Sequence, residues 1–131
     1  CDFDRNCSVG PATNKTRAAY ARLIDATQAG LEAAKPGATA SEVFRAMDNI
    51  VGSGDAGRLG HGLGMQLTEQ PSHAAFDRTE LQENMVLTLE PSLSYGDGLM
   101  MVHEENIVIR ADGPELLTKR AAPSMPIIGE M

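Results

Sequence analysis

The sequence predicts an α+β domain, an antiparallel sheet with helices on one face. Three observations carry that expectation. Apolar residues recur at helical spacing between residues 11 and 51, and each of the two helical stretches has its own start signal. Beyond residue 57 glycines cluster, and short apolar runs alternate with turn residues, as strands do. A further alternating stretch, "CDFDRNCSV", stands in front of the helices. One strand, two helices and then several strands is the order of an antiparallel sheet with its helices gathered on one side.

Taken in order, the opening stretch puts Phe3, Cys7 and Val9 on one parity and Asp2, Asp4 and Asn6 on the other, the period of a strand. A chain that opens inside a strand, on Cys1, is expected to be a fragment whose upstream part lies elsewhere. In "PATNKTRAAYARLIDATQAGLEAAKPG" Tyr20, Leu23, Ile24, Thr27, Leu31 and Ala34 share one helical face. Thr13 is the expected N-cap, and Lys35, Pro36 and Gly37 supply a cationic end, a breaker and a turn. Thr39 and Glu42 form the capping-box pattern T-x-x-E, opening a second helix. Val43, Met47, Ile50 and Val51 make its buried stripe, and Gly52 ends it. The strand-like runs are "MVLTLEP", "LMMVHEENIVIR" and "ELLT", with turns expected at 92–98 and 111–114.

Composition narrows the function. A chain of 131 residues is one domain with room for a real core. A net charge of −7 argues against nucleic acid and against anionic membrane surfaces, whose phosphates would be repelled. There is no apolar run of membrane-spanning length and no basic-then-apolar leader, so no membrane partner is expected. Cys1 and Cys7 have neither CxxC spacing nor further partners, which fits reduced thiols in a cytoplasmic protein.

Several polar residues break the apolar pattern. Glu90 closes "MVLTLE", where an unpaired buried carboxylate is costly. Glu104 and Glu105 interrupt "LMMVH" and "NIVI", Asp2 and Asp4 share one face of the opening stretch, and His61 stands between glycines in "GHGLG". Singly, each has an ordinary explanation: a strand end, a solvated face, a histidine bonded to backbone. Together, carboxylates and one imidazole drawn from separate strands form a ligand set for hard-to-borderline divalent metals.

"CDFDRN", "GHGLGM", "LTLEPSL" and "HEENIVI" followed by "DGPELL", in this order and with two helices between the first and second, resemble the pita-bread metalloenzymes. These include the methionine and Xaa-Pro aminopeptidases, prolidase and creatinase. The resemblance covers nearly the whole chain, residues 1–131, as the C-terminal part of a pita-bread catalytic domain truncated at its N-terminus. It implies hydrolysis of an amide-type bond by metal-activated water, with a short peptide or small molecule as substrate. The metals it implies are divalent ions, two in the intact protein, with manganese, iron, cobalt or zinc all compatible with such ligands. Family relatives are often dimers, so a homodimer is expected by analogy.

Carried over residue by residue, the resemblance makes Asp2, His61, Glu90 and Glu104 the metal ligands. Glu104 is preferred to Glu105 because "ENIVIRADGPELL" then aligns without a gap, and adjacent strand residues face opposite ways, so only one can serve. The family's fifth ligand is an aspartate about ten residues upstream of Asp2, across a hairpin. That segment is not in the sequence, which is therefore a fragment or carries a defunct site. The chain is accordingly expected to keep one weaker metal position and to have little activity alone.

A second departure concerns the catalytic residues. Where the peptidase branches have "H-E-x-P", this chain has "T-E-Q-P", with Thr68 in place of histidine and Glu69 and Pro71 kept. Thr68 and Glu69 are the residues expected beside the reacting group, but a threonine cannot carry the positive charge of an imidazolium. Val102 likewise replaces an arginine common in prolidase-like branches. Both changes lean toward non-peptide chemistry of the creatinase, ectoine-hydrolase or dimethylsulfoniopropionate-lyase kind. A non-catalytic fold relative is the remaining reading.

Overall fold

The structure, a computed structural model, describes residues 2–54 and 57–129. Cys1, one of the two thiols expected to be reduced, lies outside them; Cys7 is exposed and in no disulfide among the described residues. Helix α1 (Asn14–Ala33) starts where the sequence signals it, with the Thr13 hydroxyl accepting from the Thr16 amide. Its face of Tyr20, Leu23, Thr27 and, just past the end, Ala34 is buried. Helix α2 (Ala40–Val51) has the full capping box: Thr39 accepts from the Glu42 amide, and the Glu42 carboxylate accepts from the Thr39 amide. It ends on Gly52, which adopts the left-handed conformation (φ +58°) that favours glycine.

Among the described residues there are nine short strands: β1 (Ser8–Val9), β2 (His61–Gly62), β3 (Glu69–Ser72), β4 (Val86–Leu89), β5 (Ser92–Gly96), β6 (Leu99–Val102), β7 (Glu105–Arg110), β8 (Gly113–Leu116) and β9 (Ile127–Ile128). The main sheet runs β3-β2-β4-β7-β8 and is antiparallel throughout, β5 and β6 form a separate hairpin, and β1 pairs with β9 in parallel. Leu23, Val43, Met47, Leu87, Leu89, Ile107 and Ile109 join helices and sheet in one core. The helices approach closely because residue 30 is glycine: a Cβ there would lie 2.9 Å from Met47 Sδ and 3.3 Å from a Leu89 methyl. Among the described residues no helix is long and apolar enough to cross a membrane.

Three expectations need correction. The stretch 92–98 is not a turn but β5 and the tight connection to β6, because Leu93 is buried and only Asp97 and Gly98 (φ +69°) are needed to reverse the chain. The run 99–110 is not one strand; it breaks at His103 and Glu104 into β6 and β7. The opening stretch is strand only at Ser8–Val9, and its apolar parity faces outward, with Phe3 and Val9 exposed while Asp2 and Asn6 are half-buried. The polar parity turns inward because polar groups await it there: Asn6 Nδ2 donates to the Val102 carbonyl at 2.7 Å.

Candidate metal centre

His61 is held by its glycines. A Cβ on Gly60 would lie 2.3 Å from the Thr88 carbonyl oxygen, and one on Gly62 2.2 Å from the Gln70 carbonyl oxygen. Only glycine lets β2 sit this close to its neighbours, and at Gly60 the backbone (φ +141°) also favours glycine. The His61 amide donates to Thr88 Oγ1 at 3.0 Å, so the imidazole, only 2 % exposed, is fixed by its backbone. Its Nδ1 stands 2.9 Å from the Gly62 carbonyl. A carbonyl can only accept, so Nδ1 carries the proton and Nε2 presents a lone pair.

That lone pair faces carboxylates. Nε2 is 3.6 Å from Asp2 Oδ2 and 3.7 Å from Glu90 Oε2, too far for good hydrogen bonds. Asp2, His61 and Glu104 each offer a ligand atom within 4.8 Å of the others, and Asp4, Glu90 and Glu104 form a second such group. The four residues carried over from the resemblance thus come together, although not on separate strands as expected. His61 is in β2, Glu90 follows β4 and Glu104 precedes β7, while Asp2 lies on irregular chain. Strand ends are where a carboxylate can leave the hydrogen-bonded ladder and turn toward a common point.

Glu104 and Glu105 part company as neighbours on a strand should. Glu105 is fully buried and meets donors: Arg5 Nη2 at 2.8 Å, the Ala121 amide at 3.0 Å and the Thr118 hydroxyl, with His103 Nε2 at 3.3 Å. Burial would raise its pKa, but these partners, His103 and Thr118 foremost, hold the carboxyl down at about 2. Glu104 is buried too, yet its Oε1 has no hydrogen-bond partner. Burial first, and then the charges of Glu90, Asp2 and Asp4, push its pKa up to about 8, against a weaker opposing pull from the Thr88 hydroxyl. Glu90 is raised as well, by burial foremost.

Thr68 and Glu69 belong to neither group of ligand atoms. Thr68 is exposed in the bend before β3. The Glu69 carboxylate accepts from the Gln66 amide at 2.9 Å and fills the space a Cβ on Gly64 would take, so it closes its own loop. Two residues outside the carried-over ligand set lie at the centre. Asp4 contributes a carboxylate to it. Arg5 ties the opening segment down, donating to the carbonyls of Asp4 (3.0 Å), Glu104 (2.6 Å) and Lys119 (2.7 Å) as well as to Glu105. The signal was present in "DFDR": a second aspartate at strand spacing and a cation beside it.

The fold has counterparts among known proteins. An Xaa-Pro dipeptidase of Pyrococcus furiosus is 37% identical over 124 residues, 90% of this chain and 35% of that protein. The crystal structure of an X-Pro aminopeptidase from Thermotoga maritima superposes with a TM-score of 0.88 at 27% identity, covering 98% of this chain and 38% of that one. The prolidase from Pyrococcus furiosus gives 0.84 at 35% identity, covering 92% and 37%. The chain therefore spans little more than a third of the length of these relatives. The family model for metallopeptidase family M24 matches residues 1–111. With its pita-bread sheet and helices and that match over most of its length, the chain belongs to metallopeptidase family M24.

Proposed function

We propose that Asp2, His61, Glu90 and Glu104 hold a divalent metal ion, and that the protein is a metal-dependent hydrolase of the Xaa-Pro peptidase type. One observation carries the reading: the His61 Nε2, two carboxylates at 3.6 and 3.7 Å from it and a buried Glu104 oxygen without a hydrogen-bond partner converge, with no lysine or arginine paired to them among the described residues. Crowded carboxylates are costly while ionised, so either a proton or a cation must satisfy them, and the imidazole among them suits a metal ion. Oxygen donors with one imidazole suit manganese, iron, cobalt or zinc. When bound, such an ion supplies Lewis acidity toward an amide carbonyl and makes water a nucleophile at neutral pH. The chain's own part is to fix the ligands. Gly60 and Gly62 set the imidazole, the Gly62 carbonyl selects its tautomer, and Arg5 holds the Asp2–Asp4 segment against Glu104. The names of the similar proteins, Xaa-Pro dipeptidase and prolidase, support a short peptide with proline at its second position as substrate.

Thr68 favours a second reading, a non-peptide small molecule, since no imidazole stands at its position to donate to a peptide carbonyl. Hydrolysis of Xaa-Pro dipeptides with added manganese or cobalt separates the two, using the Thr68→His variant. Under the peptidase reading the variant hydrolyses them about a hundredfold faster than the parent chain, the low end of the gain a positioned proton donor brings. An unchanged rate, with metal content equal in both proteins, would favour the small-molecule reading.

A further inference from the structure

We propose that Thr88 is a positioning residue: its one hydroxyl joins the His61 backbone to the Glu104 carboxylate and so sets two ligands carried by strands that are not neighbours. The inference rests on the metal reading above and extends it to a residue that is not itself a ligand.

The sheet leaves these two ligands without a direct link. His61 is in β2 and Glu104 immediately precedes β7, and β4 lies between those strands. Alternate residues of β4 face opposite ways, so Leu87 and Leu89 take the core side and Thr88 shares its face with Glu90. The register sets Thr88 across from Asn106 and Leu89 across from Glu105. Carried one step on, it brings Glu90 opposite Glu104, on the face that Thr88 occupies.

The hydroxyl is used on both sides. Thr88 is fully buried, and its Oγ1 accepts from the His61 amide at 3.0 Å. A hydroxyl that accepts still has a proton to place, and the Glu104 carboxylate takes it. Glu104 Oε1 keeps no hydrogen-bond partner. The carboxylate is thus held by the threonine while one oxygen stays open to an ion. The Thr88 backbone adds a second restraint, since the chain entering β2 lies so close to its carbonyl that a Cβ on Gly60 would come within 2.3 Å. Branching at Cβ narrows the side chain's choice of rotamer and keeps the hydroxyl aimed.

Equilibrium dialysis against manganese(II) at neutral pH tests this with the parent chain, Thr88→Val, Thr88→Ala and Thr88→Ser. Folding of each is verified by circular dichroism in chelator. Valine keeps the shape and removes the hydroxyl, alanine guards against a valine that packs badly, and serine keeps the hydroxyl. The expected result is a Kd raised at least about tenfold in the valine and alanine variants, the low end for losing a partner of a metal ligand, and within about threefold of the parent in the serine variant. A merely structural threonine would lower the melting temperature in chelator and leave the Kd of the folded protein where it was. A Kd within about threefold of the parent in folded Thr88→Val or Thr88→Ala, a Thr88→Ser as weak as Thr88→Val, or failure of both the valine and alanine variants to fold would overturn the role of Thr88. No manganese bound by the parent chain would instead overturn the metal reading itself, and the Thr88 inference with it.

Discussion

Replacing Glu105 by alanine is expected to cost the fold about 3–5 kcal/mol, the range for removing one partner of a buried ion pair. The loss is large because three donors depend on one carboxylate, with a histidine beside it. The Arg5 guanidinium, the Thr118 hydroxyl and the Ala121 amide all bond to it, and the His103 imidazole lies beside it. Without it the Ala121 amide and the Thr118 hydroxyl lose their acceptor, and Arg5 keeps only backbone carbonyls. Those donors come from the opening segment, the β6–β7 junction and the chain after β8, so three parts of the molecule lose a common anchor. The Glu105 pKa adds a pH signature. Held at about 2, below its ordinary value, the carboxyl contributes stability that is complete above about pH 4.5 and lost as pH falls through 2. Urea titration at pH 7 and at pH 3 reads both effects. A Glu105→Ala protein within 1 kcal/mol of the parent at pH 7 would mean that the anchor is not structural.

The neighbouring residue should behave in the opposite sense. In metal-free protein, Glu104→Gln is expected to stabilise the fold at pH 8 and to change little at pH 4.5. The Glu104 pKa is raised to about 8, so between about pH 4.5 and 8 the folded state holds a proton that the unfolded state has released. Stability therefore falls as pH rises through that window, and the full penalty applies above it. From the separation of the two values the penalty is at most about 5 kcal/mol. Glutamine removes the charge and turns an amide donor toward acceptors that have none. Melting in chelator at pH 8 should show a rise of several degrees in Tm. Equal Tm values at pH 8 would show that the Glu104 carboxylate is not under electrostatic stress.

The two helices were legible because their signals are local, although α1 ends at Ala33, before the cationic end expected at Lys35. Thr13, the Thr39–Glu42 box and Gly52 act within a single turn, and the buried stripes follow from helical period. The strands were legible as apolar runs, but their ends were not. Whether 92–98 turns or pairs depends on Leu93 finding the core, which is a tertiary event. The opening segment misled for a related reason. Its alternation was real, but the buried side was chosen by Arg5, Asn6 and the carboxylate cluster rather than by Phe3 and Val9. At the site, the meeting of Asp2, His61, Glu90 and Glu104 followed from motif order. Asp4 stood with Asp2 among the polar residues but outside the ligand set, because nothing local separates a ligand from a solvated aspartate. Glu105 looked like an alternative to Glu104, when the strand's two faces give adjacent glutamates opposite surroundings.

The central claim, that these acceptors are built around a divalent cation, is most directly tested by thermal melting during metal titration. Parent chain and His61→Ala are melted with increasing manganese, cobalt or zinc at pH 7.5 and again at pH 5. The account predicts a saturable rise in Tm for the parent at pH 7.5, equivalent to about 2.7 kcal/mol at a hundredfold excess over Kd. It also predicts a much smaller rise at pH 5, where a proton on Glu104 competes with the ion, and a smaller one in His61→Ala at either pH. No rise with any of the three metals, or an equal rise in His61→Ala, would contradict it.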